Sequence, residues 1–235
     1  MRSYTSANPS SLRLTHYRAR IAALVLLLAF LATSESGCRS SSADPGQQSD
    51  NEGAASLPSL DQVPTFDRYT DLSVDGAYRA IPHRRTQADF SASNVPAAER
   101  AYLSVAFAAI DQAVLLRVDT LRRFSAGSAD QSRAVQRMGI LIDFFSGITP
   151  PKRLVEYHKA VEQSLTSERA FFQEWQDHGE SFQYSNPAMF AQNHNISAAS
   201  SAARAAYGKL MALYPDESAN NKDAFFDYHC ALDFL

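Results

Sequence analysis

One stretch, Thr149 to Gly179, carries a start, a periodic face and a stop, and it commits the chain to helical architecture more than any other. Thr149 suits the N-cap, and Pro150 suits the first helical position, where its missing N–H costs nothing. Gly179 follows His178 and fits the left-handed residue that closes a helix. Between them Leu154, His158, Val161, Leu165, Glu168, Phe172 and Trp175 recur at steps of four and three. That repeat places them on one face of a helix roughly 40 Å long. Tyr157 and Phe171 widen the stripe, and Lys152, Glu156, Lys159, Glu162, Gln163, Thr166, Arg169 and Gln173 form the solvated face opposite. The other helices are expected to pack on this one.

The remaining pattern is also helical. A first long helix is expected from Val95 to Phe124, with Asn94 as cap candidate and Leu103, Phe107, Ile110, Val114, Val118 and Leu121 as its stripe, flanked by Asp111 and Arg117. Gly127 ends it, and Ser128 or Asp130 caps a second helix from Ala129 to Ser146. After the loop Glu180 to Asn186, Pro187 opens a further helix that breaks or bends near Asn193-His194-Asn195. Beyond that point it is rich in Ala and Ser and runs to Tyr214. A last helix runs from about Asn221 to the terminus, and Phe225, Phe226, His229, Leu232 and Leu235 are too apolar for a free tail. No β-pattern of any length occurs. The expected fold class is all-α: an antiparallel helical bundle of four main helices plus a C-terminal helix. The bundle domain occupies 95–235. Residues 59–94 are expected as short helical turns and extended chain lying on it, because Pro82 blocks a continuous helix.

The amino terminus has a different character. Arg13, Arg18 and Arg20 precede an apolar run from Ile21 to Ala32, too short for a membrane span and suited to a secretory signal over residues 1–37. The segment Leu31-Ala32-Thr33-Ser34-Glu35-Ser36-Gly37-Cys38 resembles the lipobox of bacterial lipoproteins, with Ser36, Gly37 and Cys38 in place. The resemblance implies lipidation of Cys38 and a protein anchored in the bacterial cell envelope, facing the periplasm or the exterior. Glu35 stands where that family carries an apolar residue. Ordinary cleavage after Ser34 or Ser36, giving a soluble secreted protein, is the alternative. Residues 38–58 are too polar to fold alone and suit a flexible tether off a membrane.

Removing residues 1–38 takes away four Arg and one Glu, which leaves 18 basic and 24 acidic side chains and a formal charge of −6. That argues against nonspecific nucleic-acid binding, which needs a basic footprint. Cys230 is left as a lone thiol, expected to be buried and structural.

Chemistry-bearing residues are scattered. No Glu is followed by His three residues later, and the zinc-protease, phosphate-loop, dinucleotide and serine-elbow motifs do not occur. His158 and Glu162 stand four apart, as do His229 and Asp233. His158, His194 and His229 lie on three different helices and, with Glu162, form the candidate ligand set for a metal ion or haem. The plainer reading is that each histidine simply satisfies a hydrogen bond in the core. His83, Arg84 and Arg85 are the densest basic spot and the candidate anion site, against the plainer reading of salt bridges to neighbouring helices. Phe171, Phe172, Trp175, Phe182 and Tyr184 mark either a pocket or an end cap. The expected function is a non-enzymatic, membrane-tethered binding or envelope-interaction module without a cofactor, for which a protein is one candidate partner. The alternative is a periplasmic bundle that holds a metal, haem or small ligand.

Overall fold

The computed structural model describes residues 57–125, 132–178 and 192–233, and among them the regular elements are helices with no strand. They are α1 (Val74–Ala80), α2 (Ala97–Ser125), α3 (Ser132–Ser146), α4 (Val155–His178), α5 (His194–Leu213) and α6 (Ala219–Leu232). Single 3-10 turns stand at Leu60–Gln62, Asp67–Tyr69 and Lys152–Leu154. The signal, Cys38, the tether up to residue 56, Gly127, Ser128, Asp130, Gly179, Phe182, Tyr184, Pro187 and Leu235 lie outside the described residues.

The innermost helix is α2, not the Thr149–Gly179 stretch. Every residue from Asp111 to Thr120 is buried, on all faces of the helix. A helix buried all round is the core of its fold, and this one is also long and apolar enough to cross a membrane by length and composition. Its surface is instead covered by protein: α1, α3 and α6 all pack on it. Each helix from α2 to α6 packs on the next, and α6 returns to α2. The closest pairing is α4 with α5. Ala199, Ser200, Ala203 and Ala206 are buried along α5, and such small residues let two helix backbones approach. Ser164 of α4 donates to the Ala199 carbonyl at 2.9 Å across that contact.

The inward face of α4 matches its periodicity. Tyr157, His158, Val161, Leu165, Glu168, Phe171 and Phe172 are buried, while Trp175 is half-buried. The start differs from the expectation. Pro150 and Pro151 each push the residue before them toward extended backbone, so Thr149 does not cap the helix. A 3-10 turn, with the Leu154 N–H donating to Pro151 at 2.7 Å, leads into α4 at Val155. At α5 the expected break is an N-cap: Asn193 accepts from the Asn195 and Ile196 amides at 2.9 and 3.2 Å. α6 starts earlier than expected because Ser218 caps it. Phe226 is 46% exposed and packs its ring on Tyr207 and His83, while Phe225 beside it is fully buried.

Residues 58–95 form one compact unit with the helices and wrap α2 and α6 as a strap. Its backbone polar groups are met by buried side chains, as such groups must be. The Phe66 amide donates to Gln112 of α2 at 2.9 Å. The Thr70 hydroxyl donates to Asp119 at 2.7 Å. Asp227 of α6 accepts from the Thr86 amide and hydroxyl at 3.1 and 2.6 Å. Asn221 accepts from the Asp89 amide at 2.7 Å and donates to the Asp89 carbonyl at 2.8 Å, as a neighbouring strand would. Six residues of helix rise about 9 Å and three of extended chain about 10 Å, so the two anchor points keep register.

Candidate functional site

Three clusters of polar groups take up candidate residues and the buried charges beside them. The first lies where α2, α3, α4 and α6 meet. The Tyr102 hydroxyl is 2.9 Å from His158 Nδ1. The fully buried Tyr102 has no other partner for its proton, so it donates, and the imidazole proton stands on Nε2. That nitrogen lies 3.9 Å from Glu162, one turn along, which itself accepts a hydrogen bond from Ser146. Phe145 stacks on the imidazole at 4.6 Å. Burial lowers the His158 pKa, against the Glu162 carboxylate, which raises it.

His229 is a second Tyr–His pair beside the first; the Tyr102 and Tyr157 rings meet edge-on at 6.3 Å. His229 Nδ1 is 2.6 Å from the Phe225 carbonyl, which can only accept, and Nε2 is 3.1 Å from the Tyr157 hydroxyl. The proton therefore sits on Nδ1, and the Nε2 lone pair takes the Tyr157 proton. Burial pushes the imidazole down to about 4. No nitrogen of His229 is left for a ligand without breaking one of these bonds.

His194 does not join them; it is exposed at the first turn of α5. Asp233 turns away from His229 and pairs with Arg204 at 2.8 Å. Among the described residues no group of three or more His, Cys, Asp and Glu could hold a metal ion. Cys230 is a half-buried free thiol whose pKa burial raises.

The second cluster takes up the basic triplet. Arg85 forks onto Asp111 of α2 at 3.0 and 2.5 Å and reaches Asp75 of α1 at 2.9 Å. Arg84 is exposed and lies 3.7 and 3.8 Å from Asp223 and Asp227. The His83 ring packs edge-on to Tyr78 and tilted against Phe226. Three successive side chains thus meet different internal partners, and the Arg85 fork that an anion would need is already held by carboxylates.

The third cluster joins Glu168, a polar member of the α4 stripe, to Arg117, which flanks the stripe of α2. Arg117 of α2 donates to the Leu232 carbonyl at 2.9 Å and also to the Ala231 carbonyl. It thereby places a cation at the C-terminus of α6, where the helix dipole favours one. Glu168 of α4 is completely buried 3.9 Å from the Arg117 guanidinium, and neither of its oxygens has a hydrogen-bond partner. Burial raises the Glu168 pKa to about 7, against the pull of Arg117. The signal that finds Glu168 is a charge at an inward position of the α4 stripe, where a buried carboxylate needs a partner.

These groups can brace helices and exchange single protons; Arg117, Glu168, Tyr157 and His229 are buried, while Arg84, Asp75 and Asp223 face solvent. No protein-family model, curated protein or solved structure matches the chain.

Proposed function

We propose that this protein is a membrane-tethered, non-enzymatic binding module of the bacterial cell envelope, lipidated at Cys38. The observation that carries the reading is the division of the chain. A signal-like run ending at Ser36-Gly37-Cys38 is followed by about twenty polar residues, and a compact helical unit begins at Pro58. The interior chemistry fits the same reading, because the buried His158 and His229 each meet a tyrosine of a neighbouring helix. The finer architecture we propose is an antiparallel bundle of four main helices closed by a C-terminal one. The short links Gly147–Pro151 and Tyr214–Ser218 between successive packed helices support it.

The test is fractionation of bacteria that express the full-length chain. The wild type is expected in the membrane fraction and released only by detergent, and Cys38→Ala is expected to lose the lipid-dependent fraction. Wild-type protein that fractionates as soluble, or a Cys38→Ala variant indistinguishable from it, overturns the reading.

A further inference from the structure

We infer that the face formed by Tyr69 and the first half of α3 is a docking site for an acidic segment of a protein partner. The inference rests on the binding-module reading and names the chemistry of what is bound.

Tyr69 is 41% exposed, and two guanidinium groups lie over its ring. Arg68 stands 4.8 Å and Arg137 of α3 stands 4.3 Å from the ring centroid. Among the described residues neither makes an ion pair, whereas their neighbours do: Arg122 with Asp71 at 3.7 Å and Arg123 with Asp119 at 2.7 Å. Arg123 also donates to the Tyr69 carbonyl at 2.8 Å, which fixes the backbone beneath the ring. On the other flank of α3, the exposed Arg169 lies across Gly139, its Nε 3.6 Å from the place of a Cβ. Ile140, one turn beyond Arg137, is 48% exposed between them.

A guanidinium stacked on a ring keeps its N–H edge free and gives up its rotamer freedom before any partner arrives. Two such forks beside an exposed aliphatic side chain fit carboxylates spaced along a peptide, and Tyr and Arg are the residues that anchor protein interfaces. An anionic bilayer offers oxyanions too, but the folded part from Pro58 onward carries 17 basic and 21 acidic side chains, a formal charge of −4, and is repelled by such a surface as a whole. A small acidic segment meets only the local field of the two guanidinium groups.

The experiment is fluorescence anisotropy with the purified full-length chain in nonionic detergent and a labelled octapeptide of four Glu and four Ser. The Glu peptide is expected to bind. Replacing its Glu by Gln, or using the double variant Arg68→Ala/Arg137→Ala, is expected to weaken binding at least tenfold with the melting curve unchanged. Arg79→Ala and Cys38→Ala are expected to bind as the wild type does, so the result is independent of the tether. Absence of binding, or binding indifferent to the double variant, overturns the inference. So does dihexanoyl phosphatidylglycerol displacing the peptide at lower concentration than unlabelled peptide, which would assign the face to lipid headgroups.

Discussion

Glu168 lies 3.9 Å from Arg117 with no hydrogen bond to either of its oxygens, deep between helices that leave it no exposed surface. The Arg117 fork is spent instead on the last carbonyls of α6. A carboxylate beside a cation that is already engaged is a costly arrangement, and it dictates how the fold responds to pH.

The folded Glu168 pKa of about 7 stands above the ordinary 4.5. Between those values the native state binds the proton more tightly than the unfolded chain, so this group's contribution to stability falls as pH rises through the window. At about 1.4 kcal/mol per unit the full effect is on the order of 3 kcal/mol. Glu168→Gln keeps the shape without the charge. It is expected to be more stable than the wild type at pH 8 by up to about that amount, and equally stable at pH 4.5. Urea denaturation of both proteins across pH 4.5 to 8 measures the difference; a variant less stable at pH 8 contradicts it.

Arg117→Met is expected to cost about 3–5 kcal/mol, because it strips the α6 carbonyls of their donor and leaves Glu168 without a counter-charge. In the double variant Arg117→Met/Glu168→Gln part of that loss returns. Thermal melts of the four proteins form the cycle, and a double variant as unstable as the sum of the singles contradicts the coupling.

His229 works in the opposite direction. Its folded pKa of about 4 lies below the ordinary 6.5, so its contribution is complete above pH 6.5 and is lost as pH falls toward 4. The imidazole nitrogen resonances are expected to show a neutral ring with its proton on Nδ1 and no titration above pH 5. A midpoint near 6.5 contradicts the burial and the two hydrogen bonds.

Asn221 holds both backbone groups of Asp89. Asn221→Ala orphans them and is expected to cost about 2–4 kcal/mol. Hydrogen exchange should accelerate first at residues 86–90, while the amides at the centre of α2 stay protected. Uniform acceleration across the chain would show that the strap has no separate hold.

Periodicity marks the helices and the inward face of α4 down to His158 and Glu168, because a stripe repeating at three and four residues can only be a buried face. It misplaces the centre of the fold: α2 is buried on every side, so its stripe blurs, and the amphipathic α4 stands out more. Two consecutive prolines shift the start of α4 by steric exclusion that a cap-and-Pro pattern does not reveal. The partners of Arg85, Arg117, Asn221 and Asp227 depend on contacts across up to 141 residues of chain, which no local pattern encodes. Tyr102 and Tyr157 are the hidden members of the first cluster; an aromatic in an apolar stripe reads as packing until its hydroxyl is seen to meet a histidine.

The measurement that bears most directly on the tethered module is the intact mass of the mature protein taken from bacterial membranes. Cys38 as the first residue, carrying acyl chains, is the predicted result. An unmodified chain that begins after Ser34 or Ser36, or one that retains the run from Ile21 to Ala32, contradicts it.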